Sequence, residues 1–227
     1  MSLSYIKQRL KGGLETALLM RQGLTQFDGT PRETLLSFSI IFITLPVKYI
    51  STLIHPPLGM DGIDPGKIYG VHFFASCVSM LVGFLVIYGF ARYVTKNQEK
   101  VWLYYSVGNW VAFVFLPLSF LLLFVKHAGM IGDKTMEDLM LVLTLYGFVI
   151  GACIIYNIFR PPWALAGALA CFFLVKGQVI LDASYTLFDL PIVDYMDVYG
   201  AGAKDALNSV SSGAADADVN TVHSPED

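Results

Sequence analysis

The chain has 227 residues, 55% of them hydrophobic and 15% charged, and its mean hydropathy is +0.59. Too few polar side chains are present to cover a water-facing surface, which excludes a soluble globular domain; disorder and a disulfide-stapled scaffold fail on the same composition. Lys and Arg number 15 against 18 Asp and Glu, a net charge of −3, so there is no basic excess for nucleic acid.

Residues 1–26 read as an amphipathic helix. Leu3, Ile6, Leu10, Leu14 and Ala17 recur at three-to-four spacing, with Lys7, Arg9, Lys11 and Arg21 beside them. Such a helix lies in the membrane interface on an anionic, cytoplasmic leaflet; the alternative is an ordinary helix packed under the bundle. The same charges interrupt any cleavable signal core, so none is expected. Phe27-Asp28-Gly29 reads as a turn. Thr30-Pro31-Arg32-Glu33 then starts a helix: Thr30 can cap it, proline suits the first position, and Glu33 can close a capping box.

Residues 27–182 read as a five-helix membrane domain, with spans at about 34–54, 68–91, 101–125, 139–159 and 161–181. The second, third and fourth spans hold no Asp, Glu, Lys or Arg, the first holds Lys48 and the fifth Lys176. About 20 apolar residues cross a hydrocarbon core, and runs this long and continuous are helices, not barrel strands. Pro46 and Pro117 interrupt the first and third spans. Span two carries His72, Ser76, Ser79 and Gly83 on one stripe suited to close helix contact. In span four, Gly147 and Gly151 form an i, i+4 pair for helix packing. Span five aligns Gly167, Cys171, Gln178 and Asp182, with Lys176 pointing elsewhere. Cys77, Cys153 and Cys171 all fall within spans and read as small packing residues. Residues 183–200, with Tyr185, Phe188, Tyr195 and Tyr199, suit an outer interfacial segment. Residues 201–227 lack aromatics and read as a disordered acidic tail.

Nine Lys and Arg fall on one side of these spans (Lys7, Arg9, Lys11, Arg21, Arg32, Arg92, Lys96, Lys100 and Arg160) and four on the other (Lys67, Lys126, Lys134 and Lys204). The bias sets the N-terminus in the cytoplasm and the C-terminus outside. Lys48, His72, Gln178 and Asp182 then fall in the outer half and form a candidate intramembrane polar cluster. In it Lys48 pairs with Asp182 to hold helices together or bind an ion. Snorkelling of Lys48 and Lys176 to the headgroups is the simpler account of both lysines. Asn109 is a candidate polar site toward the inner side.

The sequence carries no Walker loop, zinc-protease histidine pair, nucleophile elbow or paired intramembrane aspartates, and the histidines lack ligand spacing. No catalytic residue, cofactor or metal is therefore expected. The five-span plan over Phe27 to Leu190 resembles the Yip-domain family of small membrane proteins, some of which bind Rab-type GTPases. Local features shared with bacterial neighbours of that group are Phe27-Asp28-Gly29-Thr30, Ser37-Phe38, Leu45-Pro46 and Asn109-Trp110. The resemblance implies a non-catalytic membrane adaptor or organiser. The long cytoplasmic region of trafficking members is missing, and no binding residues carry over. The expected partners are the lipid bilayer and a membrane protein or second copy of the chain; short loops and missing signals fit a bacterial inner membrane best, with a eukaryotic endomembrane as the alternative. The alternative is a small transporter, or a subunit of one, built on the outer polar cluster and the proline-broken helices.

Overall fold

The computed structural model describes residues 3–54, 60 and 62–191; within the helices, the side chains of residues 41–45, 47, 48, 51, 52, 54, 123, 127, 133 and 137 are outside the description. The predicted tail 201–227, and residues 192–200 of the predicted outer segment, lie outside the described residues. The chain divides into Met1–Leu190, which holds every described helix, and Pro191–Asp227.

The described residues are all-helical, with no strand among them. The helices are α1 (Leu3–Ala17), α2 (Pro31–Ile54), α3 (Pro65–Gly89), α4 (Lys100–His127), α5 (Asp133–Phe159) and α6 (Trp163–Leu187). A 3₁₀ turn, Arg21–Gln26, follows α1, and a π turn, Phe90–Val94, ends α3. Four stretches are long and apolar enough to cross a membrane: Pro65–Val94, Lys100–Lys126, Lys134–Phe159 and Trp163–Leu187. They present Leu85, Leu121, Phe124, Val142, Leu145 and Val179 outward, each more than half exposed, as befits an integral membrane protein.

Local chemistry sets the helix ends. The Thr30 hydroxyl accepts from the Glu33 amide at 3.2 Å, as predicted. The Glu33 carboxylate reaches further back than a standard capping box, accepting from the amides of Asp28 (2.7 Å) and Gly29 (2.9 Å). Asp64 caps α3 by accepting from Gly66 and Lys67, ahead of Pro65 at the first helical position. Arg160 ends α5 in the left-handed region at φ 57°, and Pro161-Pro162 prevent continuation. Helices α2 and α4 run through Pro46 and Pro117 without ending. Helix α6 continues through Leu187, into the stretch predicted as an outer interfacial segment. Its last turns bury Ser184 and Tyr185, and Tyr185 packs in an apolar cluster with Met60, Ile68, Val71 and Leu190.

The five long helices form a ring of neighbours: α2 touches α4, α4 touches α5, α5 touches α6, α6 touches α3, and α3 returns to α2. The main core runs through the ring, built from Val107, Trp110, Ile150, Ile155, Phe159, Ala166 and Ala170 with Ile87 and Phe90. Helix α1 lies across α4, and its last carbonyl, Ala17, accepts from the Tyr146 hydroxyl of α5 at 2.6 Å.

The face α1 turns inward keeps part of the predicted apolar stripe, with Ala17 buried and Ile6 and Leu10 packed against the core, and adds residues the stripe left out. Leu3 and Leu14 are exposed, whereas Arg9, Gly12, Gly13, Thr16 and Ala17 are buried. Close approach explains the choice. A Cβ on Gly13 would stand 3.0 Å from the Trp110 carbonyl oxygen, and one on Gly12 would meet Gln26 and Phe27 below 3 Å. Only a glycine face lets α1 lie this near α4 and its own 3₁₀ turn.

Candidate functional site

Two seams gather the polar side chains. The first joins α1, α2 and α4. Arg9 is 2% exposed and Glu33 3% exposed. The Arg9 guanidinium contacts Asp28 through one terminal nitrogen, and its Nε lies 2.6 Å from the Glu33 Oε1. The Nε approach is off the N–H axis, so it acts as a charge contact more than an aligned hydrogen bond. The guanidinium also lies 4.8 Å from the centre of the Tyr5 ring, and Tyr5 meets Trp110 edge-on at 6.4 Å. Burial pushes the Tyr5 phenol above its ordinary pKa, while its hydrogen bond to Arg9 opposes that shift. One carboxylate therefore does two jobs: Glu33 caps α2 and neutralises a guanidinium from α1.

From there the seam continues along α2 and α4. The Thr34 hydroxyl donates to the Trp102 carbonyl at 2.7 Å. Ser37, fully buried, accepts from the Asn109 amide at 2.8 Å and donates to the Thr34 carbonyl at 2.7 Å. Asn109, the predicted inner polar residue, is thus a link between two helices.

The second seam joins α3 and α6. Lys176 Nζ donates to both the carbonyl and the hydroxyl of Ser79, each at 2.7 Å, and lies 5.3 Å from the Phe173 ring centre. Lys176 therefore turns into the bundle and does not extend to the headgroups, because Ser79 offers two acceptors and Gly83 leaves room beneath it; a Cβ there would meet the ammonium at 3.3 Å. One end of the seam is held by His72 and Tyr185, which share a hydrogen bond at 2.6 Å with rings edge-on. Three of the four predicted stripe residues, His72, Ser79 and Gly83, thus meet α6, while the Ser76 hydroxyl donates to the His72 carbonyl within α3.

The rest of the predicted outer cluster divides. Gln178 donates to Asp182 at 2.8 Å, one turn along the same helix and on an exposed face. The Lys48 side chain lies outside the described residues, so its pairing with Asp182 is not described. The α6 stripe of Gly167, Cys171 and Gln178 faces open space or is exposed, while Ala166 and Ala170 face the core. The glycine pair of α5 is unequal: a Cβ on Gly151 would lie 3.9 Å from the Ala170 Cβ of α6, whereas one on Gly147 would meet open space. Packing at this pair therefore rests on Gly151 alone.

Sequence reasoning missed the Arg9, Asp28 and Glu33 junction, although Gly12-Gly13 beside Arg9 carried the signal of a close-packed face. Compared with protein-family models, curated proteins and solved structures, the chain matches none.

Proposed function

We propose that this chain is a five-span integral membrane protein that works as a non-catalytic adaptor or organiser, as its Yip-domain resemblance implies. Helices α2 to α6 are the spans, and α1 is docked at their cytoplasmic end. Helix α2, with 24 residues, is about 36 Å long and sufficient to cross the hydrocarbon core. The positive-inside bias sets the N-terminus in the cytoplasm and the C-terminus outside. A bacterial inner membrane suits the short connections.

One observation carries the organiser reading. Polar side chains within the helices bond across to neighbouring helices: Asn109 to Ser37, Lys176 to Ser79, His72 to Tyr185 and Thr34 to Trp102. Donors and acceptors used this way fix helix positions and are not turned toward a solute. A rigid bundle with a broad apolar exterior is the form of a protein that binds other membrane proteins laterally.

Affinity purification from native membranes in mild detergent, followed by mass spectrometry, tests the reading. The expected result is a reproducible stoichiometric partner. A self-contained oligomer with no partner, together with solute uptake in liposomes, overturns it in favour of transport.

A further inference from the structure

Lys176 lies near the middle of α6, and Ser79, which holds it, lies near the middle of α3. With both helices as spans, the ammonium stands at mid-bilayer depth, where a charge is costly unless an opposite charge answers it. The lysine does not relieve that cost by reaching for the headgroups, because its nitrogen is turned to Ser79. An ammonium carries three N–H donors. The Ser79 carbonyl and hydroxyl take two of them, and one is left over. Lys176 makes no ion pair among the described residues.

The leftover donor can be approached from outside the bundle. Phe173 covers one flank of the ammonium at 5.3 Å. On the other flank, Phe172 and Val179 stand four residues before and three after Lys176, so they share its helix surface, and they are 40% and 59% exposed. Lys176 is half-buried at their edge. A helix laid along Phe172 and Val179 therefore brings its own side chains to the ammonium.

Charge sorts the possible occupants. Phosphate headgroups do not reach this depth, and acyl chains offer no acceptor. A second copy related by a two-fold axis along the membrane normal would set two Lys176 ammoniums at one depth, where like charges repel. Nor could it supply the missing charge, since residues 34–54, 68–91, 101–125, 139–159 and 161–181 contain no Asp or Glu. A carboxylate on a span of a different protein meets both needs.

We propose that the α3–α6 seam docks a transmembrane helix of another protein that carries one Asp or Glu at mid-bilayer depth. Its carboxylate accepts the third N–H of Lys176, and its apolar side chains pack on Phe172 and Val179. The site names the partner class for the organiser reading and rests on that reading.

Fluorescence energy transfer in liposomes, between the labelled full chain and leucine-rich transmembrane peptides of about 20 residues, tests it. The peptides carry Asp, Asn or Leu at the centre. The Asp peptide is expected to bind roughly tenfold tighter than the Asn peptide, which can form a hydrogen bond but carries no charge. All three are compared on the wild-type chain, so this result does not depend on the folding of a variant. In Lys176→Met the Asp peptide should fall to the Asn level, and Lys176→Arg, which keeps the charge, should retain the preference. Equal binding of the Asp and Asn peptides to the wild-type chain overturns the proposal, as does an Asp preference that survives in Lys176→Met. Transfer between two labelled copies of the chain that is lost in Lys176→Met overturns it in favour of self-association. Affinity purification from native membranes keeps the two readings apart. A stoichiometric partner retained equally by wild type and Lys176→Met refutes this seam and leaves the organiser reading standing, whereas no partner for either refutes the organiser reading and this proposal with it.

Discussion

At the α1–α2–α4 junction a guanidinium with 2% exposure is answered by two carboxylates from a different segment of the chain. At the α3–α6 seam an ammonium only partly withdrawn from the surface is answered by the neutral oxygens of one serine. Both place a cation among helices, but the consequences of losing it differ. Removing Arg9 strands Glu33, a carboxylate that is itself 3% exposed and holds the start of α2. Removing Lys176 strands a hydroxyl and a carbonyl that already belongs to a helical ladder. The penalty for breaking a buried contact is set by what remains behind more than by the contact itself.

The largest expected effect follows directly. Arg9→Met should destabilise the protein by about 3–5 kcal/mol, because the buried Glu33 carboxylate is left with backbone N–H donors but no opposite charge. Thermal unfolding in detergent, read as a fall in Tm and in folded yield, measures it. Adding Glu33→Gln should recover part of the loss, since the amide oxygen still accepts from the Asp28 and Gly29 amides without carrying charge. A double variant as unstable as the sum of the singles would mean that the two residues do not act as a pair.

A second change breaks the same junction without touching charge. Gly13→Leu forces a side chain against the Trp110 carbonyl, and lifting α1 from α4 should cost about 1–3 kcal/mol. Faster proteolysis within α1, at unchanged protection of α4 to α6, is the expected signature. Uniform protection across the variant would show that α1 does not depend on this close approach.

The difference between the two regions also explains what could be read in the sequence. The helices were legible, because apolar runs and the Thr30-Pro31-Glu33 start are local signals. Most of the α3 contact face was legible too, since His72, Ser76, Ser79 and Gly83 repeat at helical spacing on a stretch free of charged residues, and three of the four meet α6. Arg9 was not. On an amphipathic helix a charge ordinarily marks the wet face, and the carboxylates that reverse this rule lie 19 and 24 positions away in the sequence. Lys176 escaped for a similar reason: its acceptors, on Ser79, belong to another helix, and spacing along α6 says nothing of them. Such pairings are tertiary, and periodicity within one segment does not encode them.

A smaller effect sharpens the contrast. Lys176→Met keeps the length of the side chain and removes the ammonium, so Ser79 loses a donor but no buried charge is exposed. The expected loss is about 1 kcal/mol, within the usual range for polar contacts between membrane helices. Combined with Ser79→Ala, the two changes should be less than additive, and a double-mutant cycle in Tm gives the coupling. Strict additivity would place Lys176 outside the seam.

The smallest effect belongs to Asp182, the residue expected to pair with Lys48. Its described partner is Gln178, one turn away on the same helix and on an exposed face. An amide can accept the same hydrogen bond, so Asp182→Asn should change stability by no more than about 0.5 kcal/mol. A loss approaching that of Arg9→Met would instead mean that a buried cation depends on Asp182, and the α3–α6 side of the bundle would then resemble the α1–α2–α4 junction. Exchanging both residues, Lys48→Asp with Asp182→Lys, identifies that cation. Recovery of folded yield in the double exchange assigns it to Lys48, because only an interacting pair tolerates reversal of both charges. Continued loss in the double exchange removes Lys48 from the pairing and leaves Gln178 as the partner of Asp182 among the described residues.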